Sequence, residues 1–118
     1  HLTGSIREEI PDEALRYLGL VLLYAIEERV TDISFVRKAP DLAVARMVNE
    51  QGYDLPAPKE EIMTALFEEI EDMTGMDETK RKGRLAVGLR DSQFELEMTS
   101  TVSDAGEEKM LIHLPMFA

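Results

Sequence analysis

Apolar positions change period several times along the chain. From Pro11 to Val30, the residues Ala14, Leu18, Val21, Leu22, Ala25 and Ile26 recur at three- and four-residue steps. That spacing places them on one stripe of a helix. Pro11 suits the first helical position, and Asp12 and Glu13 suit the positive end of the helix dipole. Residues 1–10 show little period and read as a flexible lead-in or tag remnant. "TDISFVR" (Thr31–Arg37) then alternates, with Ile33 and Phe35 on one face of a short strand. "KAPD" breaks it. "LAVARMV" (Leu42–Val48) is apolar on both faces except at Arg46, the pattern of a central strand packed on two sides. "NEQGYD" reads as a turn, and Tyr53–Leu55 as a short edge strand pairing back.

Pro58 opens a second helical segment. Ile62, Met63, Leu66, Phe67, Ile70 and Met73 form its stripe, its Glu residues form a wet face, and Gly75 is a natural stop. Three strand candidates follow, at Arg84–Leu89, Phe94–Val102 and Lys109–Leu114. Phe94, Leu96, Met98 and Val102 alternate with Glu95, Glu97, Thr99 and Thr101, so this strand has a dry and a wet face. "RDSQ" and "SDAG" supply turn chemistry, which makes the three an antiparallel meander. Residues 11–118 therefore read as a single α+β domain. It is PAS-like in outline, an antiparallel sheet with two main helices packed on one face.

Composition narrows the function classes. A length of 118 residues with 44% hydrophobic content suits one domain with a real core. The net charge of −11 opposes binding to phosphate-rich nucleic acid and to anionic membranes, and it suits a basic protein partner. No Cys is present, so disulfides and Cys-based zinc sites are excluded. The longest apolar run, Leu18–Ile26, is far shorter than the ~20 residues of a spanning helix. A cytoplasmic location is expected, with the inner-membrane face reached only through partners. The chain starts with His1, as a processed product, a cloned domain or a tagged fragment would.

Candidate chemistry is sparse. "GRLAVGL" lacks the Gly-Lys-Ser/Thr ending of a phosphate loop. His113 falls on a strand, one step off the Met110, Ile112, Leu114 face, with no nucleophile elbow around it. It reads as an exposed or half-buried strand residue. Glu60, Glu61, Glu68, Glu69 and Glu71 read as a solvated helix face. "DSQFELE" lacks the central Gly of a calcium loop. Of the seven Met residues, Met63, Met73, Met98 and Met110 match core-facing positions, with an adaptable apolar groove as the alternative. No catalytic set, metal site or cofactor is expected. The arginines are more informative. Arg46 interrupts an apolar strand, Arg84 opens the meander and Arg90 closes its first strand. Lys80, Arg81, Lys82 and Arg84 form a basic knot at a helix-to-strand corner. Such groups pair with internal carboxylates, or with a phosphate or a neighbouring acidic edge.

Three stretches resemble one family. "YAIEERVTDISF" (Tyr24–Phe35) resembles the "A-I-x-x-x-A-S-D-I-H" signature of the ATPases of type II secretion and type IV pilus assembly. "MTGMDETKRKGRL" (Met73–Leu85) resembles their "M-A-x-M-D-I-A-E-x-R-x-P-Q-D-G-R". "EMTSTVSDAGEEKMLIHL" (Glu97–Leu114) resembles their "R-V-S-T-L-P-T-x-x-G-E-K-V-V-L-R". The resemblance covers about residues 12–114 in the same element order. It implies the PAS-like domain that precedes the ATP-hydrolysing core. That domain does not hydrolyse ATP alone, packs on the core of a neighbouring subunit in a hexamer, and can hold nucleotide phosphates through arginines. The chain departs from the pattern at Ser34, where the family has His, and at the missing "P-Q-D", which leaves Lys82-Gly83-Arg84. One family Arg is lost near Glu97 or Met98, and another falls at His113. Arg84 survives, and Arg46 matches in the second strand. Arg46, Lys82 and Arg84 are thus the phosphate- or core-facing candidates in a degenerate, non-catalytic relative.

The expected partner is a secretion or pilus motor ATPase, or the chain's own missing core, and homo-oligomerisation stays open. Two other classes remain. One is a small acidic secretion chaperone binding an unfolded client segment. The other is a PAS-like small-molecule or nucleotide sensor, whose helix-covered face could enclose a ligand.

Overall fold

A computed structural model of the chain describes residues 2–38, 42–48, 53–89 and 91–117. The elements run α1 (Leu2–Glu27), β1 (Asp32–Lys38), β2 (Leu42–Val48), β3 (Tyr53–Leu55), α2 (Glu60–Thr74), β4 (Lys82–Leu89), β5 (Ser92–Val102) and β6 (Glu108–His113), then a short 3-10 turn at Pro115–Phe117. The six strands form one sheet in the order β3-β2-β1-β6-β5-β4. All neighbouring pairs are antiparallel. Each half of the chain makes a three-stranded meander, and the β1–β6 pairing joins the halves with Phe35 opposite Met110. This is the α+β arrangement expected, with both helices on one face. The expected breaks at residues 39–41 and 49–52, together with His1 and Arg90, lie outside the described residues.

Strand alternation selects the covered face. Ile33 and Phe35 of β1, Ala45 and Met47 of β2, Leu96 and Met98 of β5, and Met110 and Ile112 of β6 are all buried. They meet Leu18, Val21, Leu22 and Ala25 of α1 and Met63, Leu66, Phe67 and Ile70 of α2 in one core. Tyr17 tilts against Phe35 with ring centroids 6.0 Å apart, and its hydroxyl donates to the Pro56 carbonyl at 3.1 Å.

Both helices stop by the same device. At the end of α1, Arg29 adopts φ 55°, its N–H donates to Ile26 O at 3.3 Å, and Val30 N–H donates to Ala25 O at 2.9 Å. At the end of α2, Gly75 adopts φ 73°, and Gly75 N–H and Met76 N–H both donate to Glu71 O, at 2.8 and 3.1 Å. A left-handed residue reverses the chain, and a buried apolar residue follows, Val30 at 0% and Met76 at 4% exposure.

Four expectations need correction. First, α1 begins at Leu2 rather than Pro11, so the segment read as a loose lead-in is helical. Leu2, Ile6 and Ile10 stand at four-residue steps that run on into Ala14 and Leu18, a continuation that the Pro at position 11 obscured. Second, α1 ends at Glu27 rather than Val30, because the left-handed Arg29 breaks it. Third, β2 is not packed on two sides: Ala45 and Met47 are buried while Val44 and Val48 are 39% and 38% exposed. No element among the described residues covers that second face. Fourth, Met73 is exposed rather than part of the α2 core stripe. It is the last stripe position before the Gly75 stop, where Met76 enters the core instead.

Candidate functional site

The basic knot is built by a tight turn. Asp77 Oδ1 accepts hydrogen bonds from Thr79 Oγ1 and Thr79 N, both at 2.8 Å, and from Lys80 N at 2.7 Å. Asp77 N in turn donates to Lys80 O at 2.9 Å. The Thr79 hydroxyl above all, then the Lys80 and Thr79 N–H groups, hold the Asp77 carboxyl below its ordinary value. The turn delivers Lys82 into β4. Immediately after it, Gly83 passes so close to the end of α2 that a Cβ there would lie 2.8 Å from Thr74 Cβ and 2.9 Å from Met76 Cγ. Only glycine fits this approach. The corner opens onto a cavity of about 750 Å³ whose lining includes Lys80, Lys82, Arg84, Glu97, Thr99 and His113.

Register places the other candidates. On the helix-free face, Asp32 of β1 stands opposite His113 of β6, His113 opposite Glu97 of β5, and Glu97 opposite Arg84 of β4. The result is a row of alternating polar groups across four strands. His113 Nδ1 lies 3.0 Å from Asp32 Oδ1. An ionised carboxylate only accepts, so the ring donates from Nδ1. Arg84 Nη1 donates to Glu95 Oε1 at 3.0 Å, diagonally rather than to Glu97. Both partners are largely exposed, so this pair adds little stability.

The structure brings Lys82 and Arg84 together with His113 at the cavity, and it leaves Arg46 apart. Arg46 shares the face and stands opposite Ser34, but β2 and β4 are four strand spacings apart. At about 4.8 Å per spacing that is roughly 19 Å. The three candidates therefore mark one surface, not one pocket.

That surface carries a charge balance unlike the rest of the chain. Among the described side chains, by strand alternation it bears Lys38, Arg46, Lys82, Arg84 and Lys109 against Asp32, Glu95 and Glu97. The whole chain holds 13 basic and 24 acidic residues, so the excess of acid lies on the helices and connections. Between the charged positions lie Val36, Val44, Val48 and Leu111, which give the face an apolar middle.

Arg37 is a further cation that the sequence reading passed over. It sits on the helix-covered face, one alternation beyond Phe35. It donates to Glu108 Oε2 from Nε at 3.0 Å and Nη2 at 2.7 Å, and to Thr64 Oγ1 at 2.9 Å. Its guanidinium lies 5.0 Å from the Phe67 ring centre. The strand period was the available signal: Ile33, Phe35 and Arg37 share a face. Burial, then the nearby Glu108, push the Glu71 carboxyl above its ordinary value, with Arg37 and Arg81 opposing.

Among the described residues no group of three or more His, Cys, Asp or Glu is placed to hold a metal ion. No helix among them is long and apolar enough to cross a membrane. No protein-family model matches the chain, and no curated protein matches it.

Proposed function

We propose that the chain is a non-catalytic interaction domain. It docks on a protein partner through the helix-free face of its sheet, and the partner is the ATPase core of a type II secretion or type IV pilus motor. The observation that carries this reading is the face that no described element covers, with its apolar positions and, among the described side chains, 5 cations against 3 carboxylates in a chain of net charge −11. An uncovered sheet face on which apolar and charged side chains interleave is the kind of surface a protein partner covers. The partner follows from the resemblance of three ordered stretches to the domain that precedes such cores. Arg46, Lys82 and Arg84 are the core-facing groups. Gel filtration of the chain mixed with such an ATPase core tests the proposal. Co-elution is expected, and separate elution at micromolar concentrations contradicts it.

One observation favours a second reading, a nucleotide sensor. The cavity of about 750 Å³ at the basic corner is large enough for a small ligand, and Lys80, Lys82 and Arg84 line it. Calorimetric titration with ATP and with a cyclic dinucleotide tests it. Saturable heat lost in Arg84→Ala supports it, and no heat with either ligand excludes both ligands.

A further inference from the structure

β4 is an edge strand of eight residues, and among the described residues no strand pairs with its outer side. An edge of this length usually carries protection. Here Lys82 and Arg84 guard only its first half and only the helix-free face. On the other face Leu85 and Val87 are half-buried, whereas Leu96, the residue opposite Leu85, is 0% exposed. The end of α2 covers this face at Gly83. The core is thus closed over Leu96 and Met98 of β5 and left incomplete at Phe94 and along β4.

The inner neighbour reveals what chemistry β4 accepts. β5 presents Glu97 opposite Arg84 and Glu95 in contact with it on one face. On the other face it presents Leu96 to Leu85 and Phe94 to Val87. A strand added outside β4 meets the same β4 residues from the opposite side. We propose that the β4 edge binds an extended partner segment that alternates acidic and apolar residues. Backbone pairing supplies the affinity, and the side chains flanking Arg84, Leu85 and Val87 supply the selectivity. The acidic positions lie beside Lys82 and Arg84, and the apolar positions cover Leu85 and Val87. This mode pairs with the backbone edge of the sheet and shares only Lys82 and Arg84 with its helix-free face.

The probe is a capped synthetic peptide with the β5 sequence, SQFELEMTSTV, titrated into the ¹⁵N-labelled protein. The expected result is saturable shifts of the β4 amides, Lys82–Leu89. A scrambled peptide of the same composition should bind at least tenfold more weakly. The double substitution Lys82→Glu/Arg84→Glu should weaken binding at least tenfold. Both positions are exposed, so the fold should persist, and circular dichroism checks that. No saturable shift, equal binding of the scrambled peptide, or shifts centred on β6 that signal replacement of β5 would each overturn the proposal. Failure to bind an ATPase core would leave this result unchanged, so the two proposals fail separately.

Discussion

Arg37 of β1 grips Glu108 of β6 through a single carboxylate oxygen, with Nε at 3.0 Å and Nη2 at 2.7 Å. The two residues stand opposite each other at the seam that joins the two halves of the sheet. Thr64 of α2 takes the third guanidinium bond, and the guanidinium carbon sits over the Phe67 ring, 5.0 Å from its centre. One side chain therefore ties both meanders to the second helix. Its side chain is 21% exposed and that of Glu108 is 39% exposed, so the pair is partly shielded from water. Arg37→Ala should cost about 2 kcal/mol in urea unfolding, through the lost pair and stack together. Arg37→Lys should recover less than half of that, because an ammonium cannot fork or stack in the same way. Equal stability of Arg37→Ala and the parent chain would rule out this role.

The two helix stops predict opposite signs for glycine exchange. Arg29 holds a left-handed backbone at φ 55° without being glycine. Arg29→Gly should therefore stabilise the fold by up to about 1 kcal/mol. Gly75→Ala forces a Cβ into φ 73° and should destabilise it by about 1 kcal/mol. Thermal melts of the two variants should move in opposite directions.

Gly83→Ala tests the close approach of β4 to the end of α2. The added Cβ meets Thr74 Cβ at 2.8 Å, which is close to backbone and cannot swing away. A loss of about 1–3 kcal/mol is expected. Gly88→Ala, where nothing lies within 4 Å of the added Cβ, is the matched control and should stay within about 1 kcal/mol of the parent.

Two carboxyls give pH dependences of opposite sign. The Asp77 carboxyl is held below its ordinary value of 3.8 by its turn. Its contribution is present above that value and is lost as pH falls through the lowered one. Asp77→Asn should therefore lower the melting temperature at neutral pH and converge with the parent chain in strong acid. The Glu71 carboxyl is raised above 4.5 by burial. The folded state then binds its proton more tightly than the unfolded state, so the ionised group weakens the fold above the raised value. Glu71→Gln should raise the melting temperature at neutral pH, and the gain should fade as pH falls through the raised value and be gone below about 4.5. Melts across pH 3–7 separate the two.

Most of the fold was legible because its periods are clean. Ile33 and Phe35, Leu96 and Met98, and the α2 stripe from Ile62 to Ile70 all occupy the buried positions that alternation or helical spacing assigns. The bounds of α1 were misread locally, at Pro11 and at the left-handed Arg29, whereas the other misses arise because local pattern does not reveal what lies across space. Val44 and Val48 look like core residues in sequence, yet no layer among the described residues covers them. Lys82 and Arg84 were legible as a corner, whereas their distance from Arg46 depends on strand order. The His113–Asp32 contact joins residues 81 apart in sequence and follows only from the β1–β6 register. Arg37 was visible in the alternation, but its partner Glu108 lies 71 residues away.

Under the proposed function, the helix-free face is the docking surface for the ATPase core. The chain has no Cys, so single cysteines can report it directly. Val44→Cys lies on that face, and Glu68→Cys lies on the exposed side of α2. Maleimide labelling rates are measured for each variant with and without the ATPase core. At least tenfold slower labelling at Val44→Cys, with Glu68→Cys unchanged, is the result predicted. Unchanged labelling at Val44→Cys in a mixture that co-elutes would contradict it, because the core would then be bound elsewhere.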